Sequence, residues 1–183
     1  EFVNVAATFF VTTTQDTFDI RLADDRADDS SGNVSLRSAI QETNAFVGAA
    51  IIALPAGTYQ LTRTGTGEDF ASFGDLDIRD NLTIIGAGAD STIIDGGAID
   101  RIFHVAPSVT LTLTGVTLQN GASTFGAGLY NEGGNVILRD VVIAGNNASG
   151  AINAHGGGIV NDRGSMLLER VSIRDNIAEL DGG

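Results

Sequence analysis

Two stretches of the chain carry the same pattern: "GAGLYNEGGNVILRDVVIAGNNASG" at residues 126–150 and "GGGIVNDRGSMLLERVSIRDNIAELDGG" at residues 156–183. Each runs from glycines through an apolar pair, an asparagine, a turn and an alternating strand to a second asparagine. The pattern extends back to residues 109–121, so equivalent apolar positions recur at spacings of 25 and then 30 residues. The aligned columns are Leu113, Leu138 and Leu168; Val116, Val141 and Val171; and Leu118, Ile143 and Ile173. A repeat of about 20 to 50 residues is typical of a solenoid or an array.

The repeat unit predicts an all-β fold, a single-stranded right-handed parallel β-helix. Short strands alternate with Gly and Asn turns, and no helical pattern separates them. One coil cannot bury its inward face alone, so the next coil must present the same residue types in the same columns. Two asparagine pairs share one offset and predict side-chain ladders at coil corners: Asn131 with Asn161, and Asn146 with Asn176. The insertion "AINAH" at 151–155 enlarges one corner, which accounts for the longer second spacing.

The N-terminal region differs from the repeats. "SLRSAIQETNAFVG" has helical spacing, with Ser35 as N-cap and Leu36 and Ile40 on the apolar face. We therefore divide the chain into residues 1–50, an N-terminal strand, acidic loop and capping α-helix, and residues 51–183, the β-helix coils. At "ELDGG" another coil should open, so we expect the coils to be truncated there, and the open coil to meet further coils or another chain.

Composition excludes several classes of function. The formal net charge of −13 disfavours binding to nucleic acid. The absence of cysteine excludes disulfides, thiolate metal sites and a cysteine nucleophile. No apolar run reaches the roughly 20 residues of a membrane-spanning helix, so the chain is not expected to span a membrane.

Several motifs in order resemble one family. They are "GNVSLRSAIQETNA", "GDLDIRDNLTIIGAGADSTIIDGG", "DRIFHV", "VTLTLTGVTLQNG" and "GGGIVN". Together they resemble bacterial right-handed parallel β-helix proteins with a "CSLREAI"-type segment, which include polymorphic-outer-membrane-protein-like and adhesin-like exported chains. The resemblance implies that Leu36 to Phe46 form an N-terminal cap. Val34 stands where that family has cysteine, and Ser38 stands where it has the glutamate that could pair with Arg37 in its own helix.

The best constellation for catalysis combines Glu68 and Asp69 with "DLDIR", and Asp95, Asp100 and Arg101 are candidates to stack nearby. Alternation in a strand sends Leu76 and Ile78 inward and places Asp75, Asp77 and Arg79 on one outer face. Parallel β-helices include polysaccharide lyases and hydrolases, whose chemistry needs carboxylates and a basic residue from neighbouring coils. The alternative is a solvated outer face of an acidic protein, which we expect here.

Metal and histidine sites are less well defined. The acidic loop offers oxygen ligands for Ca²⁺, without the spacing of an EF-hand: Asp24, Asp25, Asp28 and Asp29. A solvated loop is the alternative, and no other cofactor is expected. His104 and His155 are expected to be exposed and without a role. A metal site that pairs them is not expected, because they lie coils apart.

The sequence thus favours a non-catalytic structural or adhesive module of a secreted or cell-surface bacterial protein. In this interpretation a rigid β-helical stalk presents one flank to a protein or a glycan. The alternatives are a polysaccharide lyase or hydrolase, and an accessory subunit that docks through its open end.

Overall fold

The structure, a computed structural model, describes residues 6–45, 48–150 and 153–179. These residues form one helix, α1 (Leu36–Ala45), and eighteen short strands. Every pairing between these strands is parallel, and neighbouring strands of a sheet come from successive turns of the chain. The prediction of an all-β parallel β-helix with a short helix near the N-terminus is therefore confirmed. No helix among the described residues is long and apolar enough to cross a membrane.

Four parallel sheets run along the β-helix. Sheet I contains β1 (Ala7–Phe10), β2 (Ala50–Leu54), β5 (Leu82–Gly86), β8 (Thr110–Thr114), β12 (Asn135–Arg139) and β16 (Ser165–Glu169). Sheet II contains β3 (Gly57–Gln60), β6 (Thr92–Asp95), β9 (Thr117–Gln119), β13 (Val142–Ala144) and β17 (Ser172–Arg174). Sheet III contains β4 (Leu76–Ile78), β7 (Phe103–Val105), β11 (Leu129–Glu132) and β15 (Ile159–Asp162). Sheet IV contains β10 (Ala122–Ser123), β14 (Asn147–Ala148) and β18 (Ile177–Ala178).

The core is a stack of the columns that the repeat predicts. Leu113 pairs with Leu138, and Leu138 pairs with Leu168, in the register of sheet I. Toward the N-terminal coils, the column continues through Ile84 and Ile52. These inward residues are fully buried except in the last coil. Burial of one such side chain stabilises the folded state by about 1.5–3 kcal/mol.

Asparagine ladders fix two corners of the coils. Nδ2 of Asn131 donates to Oδ1 of Asn161 over 2.7 Å, and Nδ2 of Asn146 donates to Oδ1 of Asn176 over 2.9 Å. Asn131 also binds both backbone groups of Gly134, and Oδ1 of Asn146 accepts from the Gly121 amide. Because buried amides must be paired, these side chains hold successive corners in register.

Helix α1 begins at a capping box and lies across the first coil. The Ser35 hydroxyl accepts from the Ser38 amide at 2.9 Å, and the Ser38 hydroxyl accepts from the Ser35 amide at 2.9 Å. Leu36 and Ile40 are buried in the core beneath the helix. The predicted cap residue Phe46 lies outside the described residues. Strand β1 pairs with β2, with Ala7 opposite Ala50, and is therefore the first strand of sheet I.

The last described coil exposes its apolar side. Leu168 is 46% exposed and Ile173 is 45% exposed, although both occupy core columns. No described residue pairs with the outer edge of β16 or β17.

Candidate functional site

A cleft of about 720 Å³ opens on the flank of the β-helix, against the outer face of sheet III. On one side lies the segment 66–69, which belongs to the connection between β3 and β4. On the other side lie corners of later coils that carry Ser123, Phe125 and Ser149. Asp75, Asp100, Arg101, His104 and Tyr130 line the space between them.

The register of sheet III places polar side chains of three coils in one outer column. Asp77 of β4 pairs with His104 of β7, which pairs with Tyr130 of β11. Their inward neighbours Leu76 and Phe103 are fully buried, because side chains alternate across a strand. Stacking of coils therefore brings together residues that are far apart in sequence.

Asp75 and Asp100 are two buried carboxyls at the cleft. Asp75 Oδ2 lies 2.9 Å from Nε of Arg101. That Nε has no hydrogen-bond partner among the described residues, so the contact is an ion pair without a directed hydrogen bond. Burial, with the neighbouring charges of Asp77 and Asp100, raises the pKa of Asp75 to about 7 against the opposing effect of Arg101. Burial also raises the pKa of Asp100.

His104 joins two carboxylates of other coils. Its Nδ1 lies 3.0 Å from Asp77 Oδ1, and its Nε2 lies 3.2 Å from Glu132 Oε2. The ring stacks on Tyr130, with centroids 5.4 Å apart. The hydrogen bond to Asp77 raises the pKa of His104, and burial opposes this shift. The charged imidazolium is thus the form that both carboxylates favour.

The segment that forms one wall of the cleft is held by two ionic groups, the buried Arg37 and the half-buried Glu68. Arg37 of α1 donates to the carbonyl oxygens of Ala71, Gly74 and Asp75 over 2.8–3.1 Å. Glu68 accepts from the amides of three residues that follow it, at 2.6–2.8 Å. A side chain at Gly74 would collide with the Gly65 carbonyl and the Asp100 carboxylate, so only glycine lets the chain pass this close to those two groups. The cap helix therefore positions one wall of the cleft.

The structure brings together two of the three residues that we selected for catalysis. Asp75 and Asp77 are 5% and 2% exposed, so the expected solvated outer face is wrong for them. The cause is the segment before β4, whose Ala71 amide donates to Asp77 Oδ2. Arg79 does not line this cleft. Its Nη1 donates to the Asp69 carbonyl, and its guanidinium lies over the Phe70 ring.

The acidic loop is organised by its backbone amides. The Ala23 and Asp25 amides donate to the buried Glu42 carboxylate at 2.7 and 2.6 Å. Asp29 Oδ1 accepts from the Ser31 and Asn33 amides. Of the four candidate Ca²⁺ ligands, no three carboxylates approach within 4.8 Å of one another, and all four lie in the described part of the chain. The structure therefore does not assemble a calcium site from Asp24, Asp25, Asp28 and Asp29.

The two histidines lie in different surroundings. His104 is partly buried and joined to charged groups, so the expectation of an exposed residue is wrong for it. His155 pairs with Phe125 in a parallel bridge, and the two rings lie 6.1 Å apart.

Sequence reasoning missed Tyr130 and Glu132 as site residues, whereas it placed Asp100 and Arg101 only beside the predicted constellation. The signal was present in the repeat: extending the aligned columns back to β4 and β7 would have placed Asp77 beside His104.

Comparisons with protein-family models, with curated proteins and with solved structures found no match to this chain. The fold and the cleft themselves define the class: a parallel β-helix with a polar cleft on its flank.

Proposed function

We propose that the chain is a structural and adhesive module that binds a neutral glycan in the cleft on sheet III. The observation that carries this proposal is the combination of Asp75, Asp100 and Arg101 with the exposed Phe125 ring in one open cleft. Sugars are bound by charged hydrogen-bonding groups for their hydroxyls and by an aromatic face for their C–H groups. Both kinds of group are present along this flank.

The charge of the chain supports a neutral ligand. A net charge of −13 repels anionic polysaccharides, and the cleft itself contains Glu68, Asp69, Asp75 and Asp100 against Arg101 and His104. The hydroxyl groups of a neutral sugar are not repelled by this negative charge, and they can donate hydrogen bonds to the carboxylates.

Titration calorimetry with a panel of neutral oligosaccharides tests the proposal. At least one should bind, and D100N and F125A should each weaken binding by about five- to thirtyfold, since each loses a contact worth about 1–2 kcal/mol. D90N is the matched control, because Asp90 is an exposed carboxylate at a corner outside the cleft. Absence of binding to every glycan, or equal binding by all three variants, would refute the proposal.

We propose further that the module belongs to an exported or cell-surface bacterial protein, in which the β-helix acts as a stalk. The stacking of the coils and their asparagine ladders support this idea, because they hold the face of the β-helix that carries the cleft rigid. Accessibility of the chain to external protease on intact source cells tests it, and protection of the chain until lysis would contradict it.

One observation favours a second function, glycoside hydrolysis. Asp75 has a pKa of about 7 in the cleft, and a carboxyl group that is protonated near neutral pH can serve as general acid. Asp100 is the neighbouring carboxylate that would act as base or nucleophile. Hydrolysis predicts new reducing ends from a bound glycan. D75N should abolish them, whereas D90N, which lies outside the cleft, should release them as wild type does.

A further inference from the structure

A second, smaller cleft of about 190 Å³ lies next to the first and is lined by Asp69, Asp77, His104 and Glu132. Asp69 comes from the segment before β4, Asp77 from β4 and His104 from β7. One potential ligand atom from each of these three residues lies within 4.8 Å of the other two, and they form the one such group among the described residues. The group contains an imidazole as well as carboxylates.

The orientation of His104 points independently to a ligand. Its Nδ1 faces Asp77 Oδ1 at 3.0 Å, whereas its Nε2 faces Glu132 Oε2 at 3.2 Å from the opposite side of the ring. A metal-bound histidine almost always donates its other ring N–H to a carboxylate, which fixes the tautomer and the ring plane. Glu132 is placed to accept that hydrogen bond while Nδ1 releases its proton to solvent and binds an ion.

The groups around the cleft are already held in position. The Ala71 amide binds Asp77 Oδ2 at 2.9 Å and leaves Oδ1 directed at His104. Stacking on Tyr130 fixes the plane of the imidazole. Arg79 donates to the carbonyl of Asp69 and so secures the segment that carries this carboxylate. Binding an ion therefore requires little reordering of the protein.

We propose that Asp69, Asp77 and His104 bind a first-row transition-metal dication of the Zn²⁺ type, with Glu132 as the hydrogen-bond acceptor behind the histidine. One imidazole and two carboxylates suit Zn²⁺, Mn²⁺ or Co²⁺, whereas Ca²⁺ and Mg²⁺ prefer oxygen ligands alone. The open side of the cleft leaves room for water in the remaining position. The argument for the ion does not rest on glycan binding, although Asp69 and His104 line both clefts.

Titration of the full chain with Zn²⁺ alone, followed by calorimetry, tests the proposal. Wild type should bind one ion per chain. D69N should weaken binding by about tenfold or more, and H104Q should abolish it. H155Q is the matched control and should bind as wild type does, since His155 lies outside this cleft.

Folding of each variant is checked by circular dichroism and thermal unfolding. H104Q removes the link between Asp77 and Glu132, so its loss of binding is interpreted only with D69N, which changes an exposed side chain. Absence of Zn²⁺ binding by wild type, or equal binding by wild type, D69N and H104Q, would overturn the site. Tighter binding of Ca²⁺ than of Zn²⁺ would overturn the assigned class of ion.

Discussion

At the scale of single residues, Arg37 shows how a buried charge couples the cap to the cleft. Its side chain is fully buried, and Nε lies 2.6 Å from Oδ1 of Asp16, which is itself 2% exposed. The same guanidinium donates to three carbonyls of the segment that leads to Asp75. No acidic residue of its own helix pairs with it in the described part of the chain, in keeping with serine at position 38.

We predict that R37Q destabilises the protein by about 3–5 kcal/mol, because it leaves Asp16 buried without its counter-charge. Urea unfolding followed by circular dichroism measures this change. R163Q is the control: it breaks the exposed pair of Arg163 with Asp162 and should cost less than about 1 kcal/mol. Equal losses in both variants would contradict the role of Arg37.

Asp19 provides a pH-dependent prediction at the same scale. Burial is the main cause that raises its pKa to about 7, and the nearby Glu42 carboxylate adds to the shift. Because the folded state binds this proton more tightly than the unfolded state does, the resulting stabilisation is present below about pH 4 and is lost as pH rises through 7.

D19N should therefore become progressively more stable relative to wild type between pH 4 and about pH 7, with a constant difference above it. Urea midpoints measured across this range test the prediction. A flat profile for D19N would contradict the raised pKa.

At the scale of strands, the stacked columns decide stability. L138A should cost about 2–5 kcal/mol, because it opens a cavity in a fully buried column. L168A, one coil further in the same column, should cost less than half as much, since Leu168 is 46% exposed. Chemical unfolding of both variants gives the comparison, and equal costs would mean that another element covers the last coil.

The strands also show what the sequence could predict. The aligned apolar columns between Leu113 and Ile173 could be predicted from the sequence, because the core of a β-helix needs the same residue type at the same position of every coil. The predicted N-terminal strand is short, because the regular strand β1 ends at Phe10. The Val11 amide still donates to the Ala53 carbonyl of β2, but later amides of the N-terminal region donate to the carbonyls of Val34 and Asp28. Such irregular pairing between distant residues leaves no periodic pattern in the sequence. The hydrogen bonds from Arg37 to the segment beside the cleft could not be predicted for the same reason.

At the scale of the whole molecule, we predict that the chain self-associates through its last described coil. Leu167, Leu168, Ile173 and Ile177 present exposed apolar surface beside strand edges that no described residue pairs. Sedimentation velocity should show concentration-dependent association, and L168E should reduce it. L22E, which changes an exposed leucine in the N-terminal loop, is the control; association that is unchanged in L168E would exclude this surface.

The central claim is that consecutive coils stack in parallel, in the register of sheet I, and paired cysteines test it most directly because the native chain has none. Thr110 lies opposite Asn135, and Thr114 lies opposite Arg139, at a strand separation of about 4.8 Å that permits a disulfide. Mild oxidation should cross-link T110C/N135C rapidly and leave T110C/R139C reduced. Cross-linking of T110C/R139C instead of T110C/N135C would reveal antiparallel pairing and contradict the β-helix.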